Sequence, residues 1–252
     1  MSGGEPVFEA VDWWSADMAG AAGIAAAAGL MRGFSGFGSG MLMAPIFAIL
    51  FGPAQAVVMV IVLEIIVSVQ LVPKARHLIE WRFITTLALS ATVFMPLGAW
   101  ILGTVDGALL SRAMAALVLV FVLILITGWH YRGEKQLVPT LGVGAVSGTL
   151  MAATSLGIPP VLIYVLSGPD GAATNRANMI GYFALTQVVV LGVLAAMGLL
   201  SGTAVLRAVA LAPAYLATAW LGARLFRKSN EILYRRVAIG FLLVVALYGL
   251  LR

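Results

Sequence analysis

Apolar residues run along the chain in ten blocks, at about 18–33, 41–51, 54–72, 83–103, 109–129, 137–153, 158–167, 177–200, 205–226 and 232–251. Most approach the roughly 20 residues that a helix needs to cross a bilayer. The blocks at 41–51 and 158–167 are about half that length, and each follows a glycine-rich interruption. The first interruption reads Gly33-Phe34-Ser35-Gly36-Phe37-Gly38-Ser39-Gly40; the second extends from Gly148 to Gly157-Ile158-Pro159-Pro160. Both short blocks end at Gly-Pro, Gly52-Pro53 and Gly168-Pro169. The pattern predicts an all-α membrane protein in which two half-helices or re-entrant segments follow breaks in the chain.

The breaks sit at matching points of an internal repeat. Shifting the second half by about 115 to 125 residues lays Gly144 and Gly148 on Gly29 and Gly33, and Pro160 on Pro45. Further along, Gln187 meets Gln70, Arg207 meets Arg82, and Leu221-Gly222-Ala223 meets Leu97-Gly98-Ala99. Each copy holds about five segments, and an odd number places the second copy upside down. The expected organisation is an extracytoplasmic segment at 1–17, repeat 1 at 18–130, a cytoplasmic linker at 131–136 and repeat 2 at 137–252, all in one membrane domain. If either half-helix fails to cross, an even-numbered, parallel repeat becomes the alternative.

Charge agrees with inversion. With Lys74, Arg76 and Arg82 in the cytoplasm, alternation puts Arg32, Arg132, Lys135, Arg176, Arg224, Arg227, Lys228, Arg235 and Arg236 on the same side, and only Arg112, Arg207 and Arg252 elsewhere. Both termini are then expected outside the cytoplasm. The net charge of +5 follows from this loop bias and not from a basic stripe, so no nucleic-acid partner is expected. The first seventeen residues hold Glu5, Glu9, Asp12 and Asp17 without Lys or Arg, unlike a secretory signal, so the apolar block after them is expected to be retained.

Composition narrows the chemistry. The chain is 62% hydrophobic and 10% charged, with a mean hydropathy of +1.06, whereas soluble domains are about 45–50% apolar. There is no cysteine, which excludes disulfide exchange and thiolate metal sites. His77 and His130 lie near span ends without partners at ligand spacing, so neither a metal nor another cofactor is expected. Trp13, Trp14, Trp81 and Trp129 fall where indoles line a membrane interface. No nucleophile with a base at plausible spacing suggests an enzyme.

The breaks are the main candidates for a site. Glycines admit a ligand to the backbone, and a helix that starts at a break directs free N–H groups and partial positive charge toward it, which suits an anion. The first break lacks a Gly-Lys-Ser/Thr ending and so is no nucleotide loop. Candidate substrate contacts are Arg32, Ser35, Gly36, Phe37, Gly38, Ser39 and Gly40 at the first break, and Ser155, Leu156, Gly157, Ile158 and Pro159 at the second. Gln70 and Gln187 match across the repeat and offer amide hydrogen bonds, or serve packing. Asn175, Arg176 and Asn178 open a long helix, where an asparagine would act as N-cap and Arg176 would mark the cytoplasmic edge or an anion entrance. Gly29 and Gly144 suit close helix packing. Glu64 lies mid-span, where an ionisable residue is costly and usually functional. Its expected role is a proton-coupling or gating carboxyl with a pKa raised by desolvation, against a simple interhelical hydrogen bond. The matching residue of the repeat is about Gly181, so the carboxyl breaks the symmetry.

The first break followed by Pro45, Gly52-Pro53, Ser147-Gly148, Gly157-Ile158-Pro159-Pro160 and Tyr164 together resemble the TauE/SafE family of sulfite exporters, over about residues 20 to 250. The second break reads Gly-Ile-Pro-Pro where that family often has Gly-Gly-Pro. The resemblance implies an anion transporter of a bacterial-type inner membrane, handling sulfite, sulfoacetate or related sulfur-containing anions. The expected partners are a small anion and the lipid bilayer, and a homodimer is compatible with the sequence. Alternatives are a passive anion channel and a transporter of a different organic anion.

Overall fold

The computed structural model describes residues 15–127, 136–166 and 170–226. Trp13, Trp14, Trp129, His130, Gly168-Pro169, most of the expected linker and the tenth apolar block lie outside the described residues. Among the described residues the fold is all-helical, in the order α1 (Ala16–Ser35), α2 (Ser39–Phe51), α3 (Pro53–Ala75), α4 (Trp81–Thr104), α5 (Gly107–Thr127), α6 (Leu137–Thr154), α7 (Ile158–Val165), α8 (Ala172–Ala196) and α9 (Gly202–Phe226). Five of these, α3, α4, α6, α8 and α9, are long and apolar enough to cross a membrane. Large apolar side chains point outward, with Val69, Val93 and Val138 each more than 70% exposed, as expected for a surface that meets lipid tails.

Local chemistry sets the boundaries. The Ser15 hydroxyl accepts from the Met18 N–H at 3.2 Å and starts α1, while Asp106 accepts from the N–H groups of Ala108 and Leu109 and starts α5. Pro53 opens α3 in the first turn, where its missing donor costs nothing. The start of α8 differs from the sequence expectation. It begins at Ala172, so Asn175 is no N-cap but an internal residue whose amide donates to the Asp170 carbonyl at 3.0 Å. The helix stops at Ala196 because Gly198, at φ 71°, turns the chain and its N–H bonds the Ala195 carbonyl. Leu199 and Leu200, expected inside the span, therefore lie in the connection to α9.

Both short helices turn back along a neighbour. α2 lies antiparallel to α3: Ser39 reaches Glu64, and a Cβ on Gly40 would stand 3.6 Å from Val60, while Gly52 makes the turn. α7 returns along α6, since Ser147 bonds the Gly157 carbonyl and Thr140 meets the Tyr164 hydroxyl at 2.8 Å. At about 1.5 Å per residue the eight residues of α7 cover far less than a bilayer core of about 30 Å.

Small residues join the two halves. A Cβ on Gly29 would overlap the backbone oxygen of Tyr215, one on Gly33 that of Ala219, and one on Gly222 that of Leu30, so α1 and α9 touch backbone to backbone. In the same way a Cβ on Gly144 would crowd Leu87, one on Gly148 would overlap Ala91, and one on Gly98 would overlap Thr149, which locks α6 against α4. From Gly29–Tyr215 to Gly33–Ala219, and from Gly144–Leu87 to Gly148–Ala91, the residue numbers climb together, so α1 and α9 run in the same direction, as do α6 and α4. The end of α3 (Leu71, Lys74, Ala75) lies beside the start of α8 (Ala173, Arg176, Ala177), which makes that pair antiparallel.

Candidate functional site

The first break is a tight turn made by two glycines, Gly36 at φ 80° and Gly38 at φ 91°, conformations that a Cβ strains. Ser35 serves this turn: its hydroxyl donates to the carbonyls of Met31 (2.7 Å) and Phe37 (2.6 Å) and accepts from the Phe37 N–H. The second break uses a different backbone solution. Its left-handed residue is Ser155, at φ 58°, whereas Gly157 is right-handed and is needed for space, because a Cβ there would stand 2.6 Å from that of Met151. The Ser155 hydroxyl donates to the Thr154 carbonyl, so this side chain is also engaged locally.

The two breaks meet. A Cβ on Gly40, in the first turn of α2, would lie 3.2 Å from the backbone oxygen of Ser155. Thus Ser39, Gly40 and Ser155, which the sequence places far apart, come together in the interior, with Phe37, Leu156 and Ile158 buried around them. Pro159 lies in the first turn of α7 and is also buried.

Beside this junction lies a buried ion pair. Arg32 Nε stands 2.9 Å from Glu64 Oε2, and both side chains are fully buried. The sequence treats Arg32 and Glu64 as separate candidates and reads Glu64 as a lone carboxyl; the structure makes them partners. Ser39 and Tyr215 both donate to Glu64 Oε1, the latter at 2.8 Å. Arg32 is held on two further sides: Nη1 donates to the Gly36 carbonyl, and the guanidinium carbon lies 3.9 Å from the centroid of the Phe183 ring. Its Nη2 is buried without a hydrogen-bond partner. Buried charges persist where such pairing offsets their desolvation.

The remaining candidates separate. Gln187 is fully buried, and neither its amide nitrogen nor its oxygen has a hydrogen-bond partner. Gln70 is only half-buried near the end of α3, so the matched glutamines occupy different surroundings. Asn178 is engaged with Glu80: its Nδ2 donates to Glu80 Oε2 at 2.7 Å, and its Oδ1 accepts from the Glu80 N–H at 2.8 Å, which fixes the start of α4. Arg176 donates to the Gly33 carbonyl at 2.7 Å, and so ties α8 to the first break. It also lines a cavity of about 380 Å³ with Lys74 and Arg224. Among the described residues no group of three His, Asp or Glu comes together to hold a metal.

Sequence reasoning missed Tyr215, Phe183 and the Ser147–Tyr182 pair as site residues. Ser147 carried a signal, since a shift of 115 lays it on Arg32. Tyr215 carried a weaker one: a tyrosine in an apolar span needs a partner for its hydroxyl.

Comparison with curated proteins and with solved structures found no match. The model of one family, described as sulfite exporter TauE/SafE, matches residues 21–249, nearly the whole chain and both breaks. With its apolar spans and paired breaks, this multi-pass membrane protein belongs to the sulfite exporter TauE/SafE family.

Proposed function

We propose that the protein is a secondary transporter that carries a small sulfur-containing oxyanion, sulfite or an organosulfonate such as sulfoacetate, outward across a bacterial inner membrane. The observation that carries this reading is the convergence of Arg32, Ser39 and Tyr215 on one oxyanion, the Glu64 carboxylate, at the N-terminus of α2 where the two breaks touch. A cationic side chain, two hydroxyls and a helix start are the donors that an oxyanion needs at membrane depth. Glu64, the carboxyl among them, is the proton-coupling residue.

Alternating access follows from two inverted copies that move against each other. The helix directions support this: α3 and α8 occupy the same place in the two copies yet run antiparallel, while α1 pairs with α9 as α6 pairs with α4. With the end of α3 and the start of α8 facing the cytoplasm, Lys74, Arg176 and Arg224 form a basic vestibule, and Arg176 leads from it to the first break. The termini then face the extracytoplasmic side.

The test is counterflow of sulfite in proteoliposomes, with sulfate, sulfoacetate, taurine and oxalate as competitors. Gly38→Leu strains a residue at φ 91° and drives a side chain into Met31. Loss of flux in the folded variant is the expected result, and unchanged flux removes the break from the site. Accumulation of sulfite against its electrochemical gradient under an imposed pH gradient separates a transporter from a pore.

A further inference from the structure

We infer that the Glu64 carboxylate is a tethered competitor of the cargo: it takes the oxyanion place beside Arg32 when no anion is bound, and its protonation releases that place, so anion and proton load together. This rests on the anion-transport reading and adds to it which residue binds the charge and in which sense the proton moves.

Three features of the pair carry the inference. First, the groups around Glu64 form an oxyanion receptor rather than a general packing environment. Arg32 approaches one oxygen, and Ser39, the first residue of α2, and Tyr215 donate to the other. Second, the guanidinium is the fixed partner. The Gly36 carbonyl and the Phe183 ring hold it from two sides, whereas Glu64 Oε2, the oxygen that faces it, has no hydrogen-bond partner, Ser39 and Tyr215 both serving Oε1. Third, donors remain for an oxyanion larger than a carboxylate. Arg32 Nη2 has no hydrogen-bond partner, and one helical turn beyond Phe183 the buried Gln187 amide has none at either end.

Electrostatics then couples the two ligands. A buried site with one cation holds one compensating negative charge far more readily than two. An anion beside Arg32 therefore favours neutral Glu64, and protonation of Glu64 favours the anion; by linkage the two effects are equal. In the step itself, water on the open face supplies H⁺, one Glu64 oxygen becomes O–H, its ion pair with Arg32 ends, and the anion takes that contact. Release reverses each change and returns the proton. A monoanion thus moves without net charge, and a dianion moves one negative charge.

Among the described residues, the charged and titratable groups that face Glu64 are few. Arg32 comes from α1, the Ser39 hydroxyl from α2 and Tyr215 from α9. From α8 the Phe183 ring covers Arg32, while Arg176 is bonded to Gly33 and Tyr182 to Ser147. On α3 itself, Ser68 donates to the Glu64 backbone carbonyl.

Calorimetry on the purified full chain in nanodiscs tests this, with sulfate and methanesulfonate as probes besides sulfite, because their charge is constant from mildly acidic to mildly alkaline conditions. Titration in buffers of different ionisation enthalpy counts protons. The expected result for the wild type is uptake of about one proton per anion, with affinity falling by up to about tenfold per pH unit as pH rises. Glu64→Gln is expected to bind the same anion with pH-independent affinity and no proton uptake. Should that variant not fold, the wild-type proton count decides alone. Binding without proton uptake overturns this inference and leaves the transport reading intact. Absence of binding by all three anions overturns both.

Discussion

At the first break Arg32 lies 2.9 Å from Glu64, whereas at the second the residue in Arg32's repeat position is Ser147, whose hydroxyl lies 2.7 Å from that of Tyr182. Tyr182 directly follows Gly181, the repeat counterpart of Glu64. Each pair also secures its own turn: Arg32 donates to the Gly36 carbonyl, and Ser147 donates to the Gly157 carbonyl. The two halves therefore solve one structural problem, the bracing of a broken helix, with equivalent contacts. They differ in charge. Among the described residues the second break is braced by neutral hydroxyls, while the first carries a full cation and a carboxyl in the protein interior. The two breaks share this bracing, and among the described residues the buried charge pair stands at the first.

This difference gives graded expectations. The largest concerns Arg32→Met, which removes the cation and leaves Glu64 buried without its partner. A loss of about 3–5 kcal/mol is expected, together with all sulfite flux; thermal unfolding in detergent measures the first and counterflow the second. A variant as stable as the wild type would mean that the pair is not buried in the membrane-embedded protein. Next comes Ser147→Ala, which strands the Gly157 carbonyl and the Tyr182 hydroxyl. About 1–3 kcal/mol should be lost, while pH-dependent transport persists at reduced rate. If this neutral substitution abolishes the pH dependence, the division of labour between the breaks is wrong. The smallest effect is expected for Tyr215→Phe, which removes one of two hydroxyl donors to Glu64 Oε1 and keeps the ring: about 1.5 kcal/mol of stability, the low end for a hydrogen bond to a charged group, because Ser39 still donates to the same oxygen. Its readout in transport is a shift of the pH profile with little change in maximal flux, because Ser39 and Arg32 still face the carboxylate.

What the sequence disclosed follows the range of the interactions involved. The breaks were legible because glycine and proline act on their own backbone, and Gly36 and Gly38 do take the left-handed conformations that such residues permit. The helix-packing role of Gly29 and Gly144 was legible from their spacing, and both sit where a Cβ would crowd a neighbouring helix. Glu64 stood out because a carboxyl in an apolar span needs an explanation. Arg32 and Ser39 were candidates as well, but their pairing with Glu64, and the part of Tyr215, did not show, since the three come from three other helices and their convergence depends on how those helices pack. Asn175, Arg176 and Asn178 misled for the same reason. They read as the opening of a helix, but α8 already begins at Ala172, and Arg176 and Asn178 reach the Gly33 carbonyl and Glu80. Side chains that find partners across a helix bundle can sit inside a span without interrupting it.

The central claim is that the charged pair at the first break, rather than the fold alone, handles the anion. It is tested most directly by removing both charges together, in the double substitution Arg32→Gln with Glu64→Gln, which leaves no unpaired charge in the interior and keeps hydrogen-bonding capacity. Sulfite counterflow is measured in proteoliposomes containing equal amounts of folded wild-type and doubly substituted protein. The expected result is a folded variant without counterflow above that of empty liposomes; flux in the variant equal to that of the wild type would contradict the account.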